Sequence, residues 1–144
     1  MRPPVVVLDA GAFDVLDVDR RGARLRALLD LVLTEGGQVR CAAVTLAEVC
    51  RGASRTRRVE SILGRRHAGQ EIRIVPTDER LAKQVGHILH ATGSDSRRLA
   101  DAHAVAVCAD ADVAIVVTSD PDDISELSAG IPGTRVVVRR PSLR

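Results

Sequence analysis

Residues 5–9 read VVVLD, four apolar residues in a row, three of them β-branched, closed by an acid. A strand with one solvated face would alternate apolar and polar side chains, so an unbroken run of this kind marks a strand covered on both faces, as in a parallel sheet. A second such run, VAIVV at 113–117, leads into Thr118-Ser119-Asp120-Pro121, so an acid again follows a buried strand. Between the two, Leu25, Leu28, Leu29, Val32 and Leu33 recur at helical spacing up to Gly36-Gly37. The period then switches repeatedly. The pattern predicts a strand near 39–44, a helix opening at Thr45, a helix carrying Val59, Ile62 and Leu63, and a strand at 72–75 closed by Pro76. A helix from about Asp78 follows, with Leu81, Val85, Ile88 and Leu89 on one stripe, and ends near Gly93. A polar turn at 94–96 precedes an Ala-rich helix with Leu99, Ala102, Ala106 and Ala109, and a short helix from Pro121 to Gly130 leads to a strand at 136–138. Strand and helix alternating throughout predict an α/β fold, a three-layer α/β/α sandwich around a mostly parallel sheet.

At 144 residues the chain has the size of one domain able to bury a core without disulfides. With 45% hydrophobic and 28% charged residues, and no apolar run near the roughly 20 needed to cross a bilayer, it reads as a soluble protein. The opening MRPPVVVLD has too short an apolar run for a secretory signal, so the expected location is cytoplasmic. Cys41, Cys50 and Cys108 form no CxxC pair and read as buried thiols rather than a zinc or redox site. A formal net charge of +2 is too small to argue for nucleic acid through the global field. More telling is that, of 21 basic residues, Lys83 is the single lysine, leaving 20 arginines, whose planar fork suits phosphate. Phe13 is the one aromatic residue, so base stacking on an aromatic platform is excluded as the main recognition device.

In an open parallel sheet the loops and helix N-termini converge beyond the carboxyl ends of the strands. Asp9 and Asp120 each follow a strand there, Glu48 is placed in the first turn of the helix after the second strand, and Asp101 is early in the helix leading to VAIVV. Each has a bland explanation. Asp9 is a common turn residue, Thr45-Leu46-Ala47-Glu48 fits a capping box, Asp120 before Pro121 fits an N-cap, and Arg97 lies one turn from Asp101. Together, four acids from distant segments crowd one edge, and crowded carboxylates call for a cation. Oxygen ligands without His or Cys suit Mg²⁺ or Mn²⁺, whose matching chemistry is phosphodiester hydrolysis. His87 and His90, three apart beside the apolar stripe, fit the polar border of their helix better than a metal pair, and Asp95 fits an N-cap.

The segments Val-Leu-Asp9-Ala-Gly-Ala, Leu-Ala-Glu48-Val, Leu-Ala-Asp101-Ala-His-Ala-Val and Val-Val-Thr118-Ser-Asp120-Pro-Asp-Asp123 stand in the order found in PIN domains. The chain resembles a VapC-type toxin of a bacterial type II toxin–antitoxin pair. The likeness runs from the first strand to Val138, so residues 1–138 read as the PIN domain and 139–144 as a polar C-terminal tail. It implies a five-stranded sheet of order 3-2-1-4-5 and a Mg²⁺-dependent endoribonuclease, with Mn²⁺ substituting, that acts on an RNA substrate. It further implies a small cognate antitoxin protein as partner and a homodimer. Catalysis would fall to Asp9, Glu48, Asp101 and Asp120, and metal binding to Asp9, Asp101 and Asp120. Thr118 and Asp123 would be supporting residues. Gly11 departs from the pattern, standing where many members carry Ser or Thr.

Two rival classes fit the residues less well. A phosphatase built on Asp-x-Asp is disfavoured by Gly11, and a receiver module by the position of Lys83 within a helix; a PIN-like binding module without catalysis is disfavoured by the complete acid set. Arg51, Arg55 and Arg58, within the basic group that also holds Arg57, Arg65 and Arg66, are the candidate RNA contacts. If arginine–phosphate contacts carry the binding, RNA affinity should fall steeply between low and physiological salt. Titrations giving a flat affinity across that range would overturn the electrostatic reading.

Overall fold

A computed structural model describes residues 2–143 and turns the alternating pattern into a layered domain. In chain order the elements are β1 (Val5–Leu8), α1 (Ala10–Leu16), α2 (Asp19–Thr34), β2 (Gln38–Ala42), α3 (Ala43–Val49), α4 (Ala53–Gly64) and β3 (Arg73–Val75). They continue with α5 (Glu79–Ala91), a 3-10 turn (Ser96–Arg98), α6 (Leu99–Ala106), β4 (Val113–Val117), α7 (Pro121–Leu127), a 3-10 turn (Ser128–Gly130) and β5 (Arg135–Arg139). The sheet order is β3-β2-β1-β4-β5, as the resemblance implied, and every pairing among the described strands is parallel.

β1 sits at the centre, and its unbroken apolar run is explained by what lies on each side. Val5 and Val7 turn toward α5, α6 and α7, among Val85, Ile88, Ala102, Val105, Ile124 and Leu127. Val6 and Leu8 turn toward α1, α2 and α4, among Phe13, Leu16, Leu25, Leu29, Val59 and Ile62. The period-2 pleat thus divides one strand between two cores. The alanines of α6 are buried at 102, 104 and 106, and their small side chains let that helix approach the sheet closely. Cys41 and Cys108 are buried free thiols, and burial pushes both up to about 12.

The boundaries differ from the sequence reading in instructive places. The chain turns helical at Ala10, directly after Asp9, a short helix that the sequence reading passed over. α3 opens at Ala43 rather than Thr45, so Glu48 belongs to its last turn, and no side chain caps its start. The Ala-rich helix stops at Ala106, leaving Ala109 in the turn that follows. β5 takes in Arg139, and the segment after it is not simply polar, because Pro141 is buried and Leu143 packs on the α1–α2–α4 core.

Gly22, inside α2, tests how closely α1 and α2 are set. Helix propensity favours Ala over Gly by about 1 kcal/mol. A Cβ at Gly22 would stand 2.7 Å from the Val15 carbonyl oxygen and 3.2 Å from Leu16 Cα, backbone atoms that cannot swing aside. Overpacking of this kind costs about 1–3 kcal/mol. Gly22→Ala should therefore melt below the wild type in a thermal unfolding scan, against the propensity rule, and a higher melting temperature would show that α1 can move away.

Candidate active site

β1 and β4 are neighbours, yet the chain leaves them in opposite directions: α1 packs on one face of the sheet and α7 on the other. A crevice opens between such diverging connections, at the carboxyl edge. The register pairs Leu8 with Val117, so the next residues, Asp9 and Thr118, stand side by side at its floor. The Asp9 amide donates to the Val117 carbonyl at 2.9 Å, and the Thr118 hydroxyl donates to Asp9 Oδ2 at 2.8 Å. That hydroxyl oxygen in turn accepts the amide of Asp120 at 3.0 Å. Thr118, fully buried, thereby holds both acids.

Asp9 and Asp120 occupy the N-cap positions of α1 and α7, but neither side chain caps its helix. A good cap is worth about 0.5–2 kcal/mol, which both residues forgo. Their carboxylates turn instead to Asp101, in the first turn of α6, and the three offer oxygens within 4.8 Å of one another. None of the three is in an ion pair among the described residues, since Arg97, the neighbour expected for Asp101, binds Asp95 instead. Asp95 caps the 3-10 turn at Ser96–Arg98, as its spacing suggested. Three carboxylates this close, one of them 4% exposed, fit a hard divalent cation in number and donor type.

The crowding shows in the proton affinities. Burial, against the Thr118 hydrogen bond and with the charge of Asp120, raises Asp9 above the usual carboxylate range. Burial first, then the charges of Asp9, Asp120, Asp123 and Glu48, push Asp101 up to about 7. Glu48 stands at the rim, outside the three-acid group, where partial burial and the charges of Asp9 and Asp120 raise it against the pull of Arg51. The capping box is not formed: Thr45 is the third residue of α3, fully buried, and its hydroxyl finds no partner among the described residues.

The other expected residues are placed less centrally. Asp123 is held by Arg98, which donates to it at 3.0 Å and bridges to Glu126 at 2.7 Å. Arg98 thus ties the start of α6 to α7, a role the sequence reading missed because nothing in its spacing marks it. Arg55 and Arg58 reach Asp14 and Asp17 of α1, at 3.1 and 3.5 Å, while Arg51 donates back to the Ala47 carbonyl and lies beside Glu48. His87 and His90 are exposed on α5 and take no part in the acid group.

The sequence matches the family model of the PIN domain over residues 6–129. The chain belongs to the PIN domain family. PIN domains are in general nucleases, and the acid group lies within the matched segment. Two solved structures share the fold of this PIN domain. One is the structure of FitAB bound to an IR36 DNA fragment, 23% identical, with a TM-score of 0.61 and coverage of 95% of each chain. The other is VapBC2 from Rickettsia felis bound to a DNA fragment from their promoter, 14% identical, with a TM-score of 0.61, covering 93% of this chain and 98% of that one. No curated protein matches the sequence. No helix among the described residues is long and apolar enough to cross a membrane.

Asp101 gives this site a measurable signature. Its folded pKa near 7 stands above the 3.8 of a free aspartate, so between those values the folded, metal-free protein binds more protons than the unfolded chain. By linkage this contribution to stability is present at low pH and is lost as pH rises from about 4 to 7. Asp101→Asn should melt above the wild type at pH 7.5 without metal, and the gap should close toward pH 4. Melting curves that run parallel across that range would refute the crowding.

Proposed function

We propose that this PIN domain is a metal-dependent endoribonuclease that hydrolyses RNA phosphodiester bonds, and that it is the toxin of a type II toxin–antitoxin pair. The observation that carries this reading is the meeting of Asp9, Asp101 and Asp120, from three distant segments, with no ion pair to any of them among the described residues. Asp9, Asp101 and Asp120 would hold Mg²⁺, or Mn²⁺ in its place. Such an ion supplies a lowered pKa for bound water and positive charge for the attacking and leaving oxygens.

The protein's own residues do the rest. Thr118 fixes the Asp9 carboxylate through its hydroxyl and the Asp120 backbone through its oxygen, so two ligands from neighbouring strands keep one geometry. Asp120 turns inward at the expense of its helix, leaving the amides of Asp122 and Asp123 at the start of α7 without a side-chain cap. Glu48, at the rim, where partial burial and the charges of Asp9 and Asp120 raise its proton affinity, can take a proton from water and return it at its carboxylate. Arg51, Arg55 and Arg58 would guide the RNA backbone toward Glu48. Arg55 and Arg58 can pass from Asp14 and Asp17 to phosphate at little cost, since exposed ion pairs are worth about 0–1 kcal/mol.

Likeness to the FitAB and VapBC2 structures supports a small cognate antitoxin protein as partner; a homodimer as the working form belongs to the same proposal. The test is cleavage of structured RNAs in Mg²⁺ or Mn²⁺, with size exclusion after co-expression with any short reading frame adjoining its gene. Asp9→Asn, Glu48→Gln, Asp101→Asn and Asp120→Asn should each lower cleavage about a hundredfold or more while retaining cooperative unfolding. Full activity in Asp9→Asn would sink the assignment.

A further inference from the structure

Gly11 is the place where this chain departs from the pattern of its family, and the structure shows what stands there. A Cβ built on Gly11 would lie 1.9 Å from the Ser119 hydroxyl oxygen, 3.0 Å from Ser119 Cβ and 3.2 Å from its backbone nitrogen. The Ser119 hydroxyl thus fills the volume that a side chain at position 11 would take. Ser119 lies between Thr118 and Asp120, Gly11 two residues after Asp9, so the hydroxyl is at the lip where β1 and β4 release the chain. Thr118 spends its own hydroxyl on Asp9 and the Asp120 amide. Ser119 is exposed, and its hydroxyl enters no hydrogen bond with the protein among the described residues.

We infer that Ser119 is a substrate-positioning residue of this site, its hydroxyl donating to a non-bridging phosphate oxygen of the nucleic acid, and that Gly11 is glycine to make room for it. Asp9, Asp101 and Asp120 face one another at this edge, and a carboxylate repels a phosphodiester. A neutral hydroxyl with a free proton is the group at this lip that can donate without adding negative charge. The hydroxyl can be supplied from position 119 or from position 11, and the two crowd each other when both are present, since turning the Ser119 hydroxyl aside still leaves a Cβ at position 11 at 3.0 Å from Ser119 Cβ and 3.2 Å from its backbone nitrogen.

This inference rests on the nuclease reading, so the experiment separates the two by measuring cleavage of a single-stranded RNA oligonucleotide in Mn²⁺ and, independently, metal-free melting. Ser119→Gly should lose about tenfold in kcat/KM, the effect of one hydrogen bond to a charged group, with its melting temperature held. Gly11→Ser alone should melt lower, because its side chain meets Ser119. Gly11→Ser combined with Ser119→Gly should recover the melting temperature and cleave faster than Ser119→Gly, since the hydroxyl returns from the other side of the shared volume. Asp9-dependent cleavage that Ser119→Gly leaves at the wild-type rate would overturn the hydroxyl's role and leave the nuclease reading standing. A double variant that melts like the wild type yet cleaves no better than Ser119→Gly would overturn it as well. Cleavage equal in the wild type and Asp9→Asn would overturn the nuclease reading and this inference with it.

Discussion

A carboxylate buried at the end of the central strand is the constraint around which this carboxyl edge is arranged. Asp9 is 4% exposed, and an ion so placed is costly unless hydrogen bonds or an opposite charge meet it. The parallel register of β1 with β4 brings Thr118 to its side and provides one hydrogen bond. No arginine pairs with it among the described residues, although arginine is abundant in the chain. Asp101 and Asp120 come closer instead, which deepens the electrostatic debt rather than relieving it. A fold that tolerates this has surrendered stability at one place, and the two cores on either side of the sheet supply the surplus that permits it.

Much of this was legible in the residues. VVVL and VAIVV announced strands covered on both faces because their apolar runs are unbroken, and the acids that follow them could be placed at the carboxyl edge from chain direction alone. What escaped has physical reasons. α1 begins as Ala-Gly-Ala directly after Asp9, with no side-chain cap to mark it, since Asp9 is turned elsewhere. The capping box at Thr45–Glu48 misled because the helix starts two residues earlier at Ala43, behind an alanine that carries no signal. The strand order came from resemblance, not from periodicity, which says nothing about which strands are neighbours.

The arginine content reads differently once the side chains are placed. Arg40 is drawn to Asp110, Arg55 and Arg58 to Asp14 and Asp17, Arg97 to Asp95, and Arg98 to Asp123 and Glu126. Composition suggested phosphate-binding forks, and these forks already have protein carboxylates within reach. Most of these pairs are exposed, where each contributes little to stability. Arg98 differs in bridging two acids, which ties the start of α6 to α7, the elements that carry Asp101 and follow Asp120.

The pairing of β1 with β4 joins residues more than a hundred positions apart, with β2 and β3 laid down on the other side in the interval. Contacts so distant in sequence form late, because the intervening chain must be closed into a loop before they give any return. During synthesis the first strand, its acid and Glu48 leave the ribosome well before the Val113–Asp120 segment that completes the pocket. The acid group is therefore incomplete until the last strands emerge, and the act of finishing the sheet is also the act that assembles it.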